Sequence, residues 1–235
     1  MQREEIDRIL AQAAGRSVPH SLNPAVIERA KAALPEKLAP VRPLASPWVF
    51  TSVLLGAFAV VSVLCAWLLG LRGLRALNGI QLTVIFPVLL AGAGVAAVAG
   101  VREMRPAGGQ RIGRFALAVS TLALLGAFAL LLRDYDTQKF VSEGVPCLVA
   151  GLACAIPAAI AIWLFLRRGF VLDLPAAGLA AGTLAGLAGI AMLEMHCPIL
   201  KASHVMFWHV AVVPVCGIGG LLIGAVAQSV RRRRS

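Results

Sequence analysis

The chain has 235 residues, of which 59% are hydrophobic and only 14% charged, with a mean hydropathy of +0.85. Soluble domains average about 45–50% apolar and about 25% charged residues, so this composition excludes an ordinary water-soluble domain and makes lipid the expected solvent. The net charge of +11 fits Lys and Arg gathered on the cytoplasmic side of a membrane protein better than a nucleic-acid footprint, and no direct nucleic-acid partner is expected.

Residues 1–46 read as a cytoplasmic N-terminal tail. Ile6, Ile9, Leu10 and Ala13 share one face of a first short helix. Asn23 as N-cap and Pro24 at N1 open a second, with Val26, Ile27, Ala30 and Leu34 on its apolar side. A tail this short buries little of its own apolar surface, so these faces are kept for a partner protein or lie on the lipid surface. The first 42 residues are mixed polar, and the first apolar run is too long for a signal-peptide h-region.

Charges then cut the chain into six apolar stretches: 48–70, 77–100, 115–132, 145–166, 174–193 and 205–227. Each approaches the ~20 residues of a spanning helix, and none holds Asp, Glu, Lys or Arg. The expected fold is an all-α membrane protein, a six-helix transmembrane bundle over residues 47–230, followed by a basic cytoplasmic tail at 231–235. The lack of carboxylates and of Lys or Arg in the spans counts against a pump or proton-coupled carrier. Gly178, Gly182 and Gly186, and Gly220 and Gly224 after Cys216, repeat every four residues and should let helices approach closely. Pro87, Pro157 and Pro214 should kink their helices.

Orientation follows from the basic residues. With the N-terminus inside, 13 flank the inner side: Lys31, Lys37, Arg42, Arg102, Arg105, Arg111, Arg114, Arg167, Arg168 and Arg231 to Arg234. Only 5 flank the outer side: Arg72, Arg75, Arg133, Lys139 and Lys201. Both termini are therefore expected in the cytoplasm of a bacterial inner membrane.

Of the five cysteines, Cys65, Cys154 and Cys216 fall within spans and read as packing residues. Cys147 and Cys197 fall at the outer side, where His196, His204 and His209 gather near Cys197. Helices four and five share a short inner connection and should be antiparallel neighbours, which brings the two sulfurs toward each other. They can then form a disulfide, stay as unlinked thiols, or bind a soft metal ion with one or two imidazoles. His209 beside Trp208 reads first as an interfacial pair and second as a ligand. No CxxC occurs, and no cofactor or catalytic residue is expected; the soft ion would be a signal.

The sequence resembles the six-helix anti-sigma factors of the NrsF type, the negative regulators of sigma F. The likeness lies in Val41-Arg42-Pro43-Leu44, Gly144-Val145-Pro146-Cys147-Leu148, Ala155-Ile156-Pro157-Ala158, Leu166-Arg167-Arg168-Gly169, Met195-His196-Cys197-Pro198 and Phe207-Trp208-His209. Most of it falls after residue 143, and Ile199 departs from an acidic residue expected after Cys197-Pro198. The resemblance implies a non-enzymatic regulator whose tail holds an extracytoplasmic-function sigma factor at the membrane. It implicates Cys147 and Cys197 in sensing metal or redox stress. A membrane thiol or quinone oxidoreductase, and a small permease or scaffold, are the alternatives.

Overall fold

A computed structural model describes residues 46–104, 110–166, 171 and 173–234. The chain divides into two units after Pro43, and every described residue lies in the second. The tail positions Ile6, Ile9, Leu10, Val26, Ile27 and Leu34 lie outside the described residues.

The described residues form helices joined by short turns, with no strand among them. The long helices are α1 (Pro47–Leu69), α3 (Gly79–Glu103), α4 (Gln110–Leu131), α5 (Phe140–Leu166), α6 (Leu174–His196) and α7 (Val212–Arg234). A short α2 (Arg72–Ala76) lies between α1 and α3. A helical turn, Ala202–His204, and a π-helical segment, Val205–His209, lead into α7. Five stretches are long and apolar enough to cross a membrane: α1, α3, α5, α6 and the run Ala202–Arg233. A shorter apolar helix, Phe115–Leu131, falls below that length. The expected all-α bundle is thus the observed architecture.

Local sequence sets the helix starts. The Ser46 hydroxyl accepts from the Val49 amide ahead of Pro47. Asn78 and Gln81 form a reciprocal capping box at 2.8 and 3.0 Å. Asp173 accepts from the Ala176 amide at 3.0 Å, with Pro in the first turn of α6.

Helix α6 is the axis of the bundle. It is buried on every face from Gly182 to Met195 and packs against α1, α3, α5 and α7. Its side chains are small, so neighbouring backbones come close. A Cβ on Gly178 would fall on the Gly220 carbonyl, one on Gly220 on the Gly178 carbonyl, and one on Gly182 on the Cys216 carbonyl. The outer helices show large apolar side chains outward, such as Trp67, Leu130, Ile156 and Leu222, the surface a bilayer covers.

Among the boundaries that differ from the sequence reading, three bear on the site. Helix α5 starts at Phe140, five residues before the expected 145, and takes Glu143 into its first turn. Helix α6 runs past Leu193 to His196, so it carries Glu194, buried at 1% exposure. The expectation that no span holds a carboxylate is therefore corrected: the apolar run stops at Leu193, but the backbone hydrogen bonds do not. The last span is not one helix over 205–227. Pro214 lacks an N–H, so the Val210 carbonyl accepts from Val213 at 3.1 Å instead, and the Val210 amide reaches back five residues to Val205 at 3.2 Å. Pro214 thus sits in the first turn of α7 rather than kinking its middle.

Candidate functional site

The turns 70–78, 132–139 and 197–201 meet at one end of the bundle. The Ala202 amide donates to the Asp134 carbonyl at 2.5 Å, and the Ser203 hydroxyl to the Asp136 carbonyl at 2.6 Å. Lys201 pairs with the Asp136 carboxylate at 2.6 Å. That partner holds the exposed Asp136 carboxyl below its ordinary value and the Lys201 ammonium above its own. Helix α2 is seated on the end of α6 because Gly73 lies against the Glu194 and Cys197 carbonyls, where a Cβ has no room.

Under these turns lies a compact polar cluster. Cys147 Sγ, from the second turn of α5, is 3.6 Å from Cys197 Sγ, in the residue that ends α6. The approach expected from antiparallel neighbours is the approach observed. Cys197 Sγ lies 3.7 Å from His204 Nε2. One donor atom from each of Cys147, Cys197, His204 and His209 falls within 4.8 Å of the others. The two imidazoles meet edge to face with centroids 5.0 Å apart. Cys147 is half-buried and the other three are buried. The Cys197 thiol is pushed above its ordinary value, first by the hydrogen bond it shares with Cys147 and then by burial; His204 and His209 pull the other way.

Two of the histidines took unexpected places. His196 turns away and donates from Nδ1 to the Gly70 carbonyl at 2.9 Å, tying α1 to α6. His209 is no interfacial residue: it is 1% exposed, and its Nδ1 is 2.7 Å from the Glu194 carboxylate. The π-helical segment makes this possible, since its wider turn carries His209 inward while Phe207 stays exposed. Phe140, Phe207 and Trp208 stack beside the cluster with centroids 5.1–5.3 Å apart. Trp208 fits there because residue 144 is glycine; a Cβ at Gly144 would land on the indole ring.

Glu194 is the member of this cluster that sequence reasoning missed. Its spacing of three residues from Cys197 places it one turn back on the same helix and was the available signal. Chemically, the vicinal thiols can close to a disulfide, and the thiols with the imidazoles can hold a thiophilic cation.

These features define a helical membrane protein with a thiol–imidazole–carboxylate cluster at one end of its bundle. Residues 34–227 match the family model described as negative regulator of sigma F, NrsF. The match covers most of the chain, and the protein belongs to that family. No curated protein and no solved structure matches the chain. The family is one of regulators, and its description makes the partner a sigma factor.

Proposed function

We propose that the protein is a membrane-anchored anti-sigma factor that sequesters an extracytoplasmic-function sigma factor and releases it on metal or redox stress. Residues 1–46 supply the sigma-binding surface, with Ile6, Ile9, Leu10, Val26, Ile27 and Leu34 as apolar anchors. The basic residues favour an inner-membrane protein with both termini cytoplasmic, so the cluster end faces the extracytoplasmic side. A sigma factor held at the tail cannot reach core polymerase.

The observation that carries the trigger is the 3.6 Å separation of Cys147 and Cys197, sulfurs 50 residues apart in sequence. Oxidation or metal binding draws α5 against the end of α6, and α6 touches every other long helix. A stimulus that changes sigma affinity by a few kcal/mol frees most of the partner, since about 1.4 kcal/mol is tenfold.

The tail is tested in the full-length protein. Replacing Ile6, Ile9 and Leu10 by Asp should leave the protein in the membrane and abolish co-purification of the sigma factor. Undiminished co-purification would refute capture through this face.

A further inference from the structure

Cys147 and Cys197 alone give a pair of thiols, but the structure surrounds them with a more specific set. The His209 ring is sealed from solvent, and Glu194 occupies its Nδ1 at 2.7 Å. His209 Nε2 is buried and has no hydrogen-bond partner among the described residues. A buried ring nitrogen without a partner costs about 1–3 kcal/mol of desolvation, a cost that a bound ligand would remove. With Nδ1 committed to Glu194, Nε2 is the nitrogen that His209 has to offer Cys147, Cys197 and His204.

The spacing of the reduced thiols, itself no bar to a disulfide on oxidation, is also close to that of a metal site. A disulfide requires sulfurs at about 2.05 Å. A tetrahedral zinc-type ion bonds sulfur at about 2.3 Å and nitrogen at about 2.0–2.1 Å, which puts the S···S edge at about 3.8 Å and the S···N edge at about 3.6 Å. The observed edges are 3.6 Å for Cys147–Cys197 and 3.7 Å for Cys197–His204. All four donors come from the protein and lie within 4.8 Å of one another. Four protein ligands leave no open position, the pattern of a non-catalytic zinc-class site. Ligating histidines typically give their other ring nitrogen to a carboxylate that fixes the tautomer and raises basicity. Glu194 stands in that relation to His209. His196, spent on the Gly70 carbonyl, does not belong to the set.

We propose that Cys147, Cys197, His204 and His209 form a closed four-ligand site for one zinc-class divalent cation, with Glu194 as the positioning residue that makes His209 a ligand. Binding replaces the two thiol protons by the cation and releases them to solvent. The link from this site to sigma release rests on the function proposed above; the site itself does not.

The test uses the reduced, purified full-length protein in lipid nanodiscs, without sigma factor, titrated with cobalt(II) and then displaced by zinc. One cobalt per chain is expected, with the intense visible bands of tetrahedral coordination and a thiolate-to-metal charge-transfer band. Cys147→Ser and Cys197→Ser should each diminish the charge-transfer band. His204→Ala and His209→Ala should weaken zinc by about tenfold or more, and Glu194→Gln by about 10–100-fold with the tetrahedral spectrum retained. His196→Ala should change nothing. Zinc-induced elevation of the thermal midpoint in the wild type, lost in Cys147→Ser, is a second readout that needs no histidine variant to fold. A wild type that binds no cobalt, or binds it octahedrally, overturns the site. Zinc affinity unchanged in both histidine variants overturns the ligand set, and unchanged affinity in Glu194→Gln overturns its positioning role. With sigma factor then added to the same nanodiscs, a four-ligand site that forms as described but leaves sigma retention unaltered by zinc would refute the release trigger and uphold the site.

Discussion

Helix α6 carries two regions of opposite character. From Leu174 to Gly186 it is a seam of glycine and alanine whose backbone lies directly on that of α7. From Leu193 to Cys197 it ends in buried polar groups that meet side chains of α5 and the π-helical segment. The seam has geometry and no chemistry, so what it tolerates is decided by space. The polar end has chemistry held by geometry, so what it tolerates is decided by whether each partner is kept. One rigid helix joining the two gives the cluster a stable frame.

The largest effect should come from the seam. Gly182→Leu drives a side chain into the Cys216 carbonyl, which cannot yield as a flexible side chain would. The cost should reach or pass the top of the about 1–3 kcal/mol typical of overpacking. Gly219→Leu, on the same α7 that the seam packs against, meets open space and should be neutral. Resistance to SDS-induced unfolding in micelles measures both, and equal losses would show that the seam is not special.

Next comes the polar end. Glu194→Ala strands the buried His209 Nδ1 and should cost about 2–3 kcal/mol, read as a lower unfolding midpoint; Glu194→Gln keeps an acceptor and should cost less. Gly144→Ala forces the Trp208 ring aside, for about 1–2 kcal/mol, and should alter the near-ultraviolet circular dichroism of the indole. A spectrum identical to that of the wild type would mean that Trp208 does not depend on the glycine.

The smallest effect lies in the turns. Asp136 titrates below its ordinary 3.8 and Lys201 above its ordinary 10.5, in each case chiefly through the hydrogen bond between them. A lowered carboxyl contributes fully above its unfolded value and loses that contribution as pH falls through the lowered one. A raised ammonium contributes fully below 10.5 and loses it as pH rises through the raised value. The tie therefore holds across neutral pH and loosens at both extremes. Hydrogen exchange at the Ala202 amide should be slightly faster in Asp136→Asn at neutral pH. It should match the wild type in strong acid.

The contrast between the two regions also explains what could be read in the sequence. The spans were legible because charges punctuate them, and the seam because Gly178, Gly182 and Gly186 keep a period of four. The same punctuation hid Glu194: a hydropathy boundary drawn at the first charge ends α6 three residues early, although a carboxylate with a buried partner sits comfortably inside a helix. The meeting of Cys147 and Cys197 followed from antiparallel neighbours. The turning of His196 toward Gly70 did not, because nothing local in the sequence records a contact across 126 positions. Nor did the inward turn of His209, which depends on the π-helical segment Val205–His209 that no local pattern announces.

The direct test of the proposed function is sigma-factor retention by inverted membrane vesicles carrying the full-length protein, formed with and without cadmium or a mild oxidant so that the reagent also fills the lumen that the cluster end faces. Wild-type vesicles should hold the sigma factor at rest and lose affinity by about tenfold or more on treatment, the equivalent of at least about 1.4 kcal/mol. The Cys147→Ser, Cys197→Ser double variant should lose this response. Normal retention at rest and normal release from that double variant would contradict a trigger at the thiol pair.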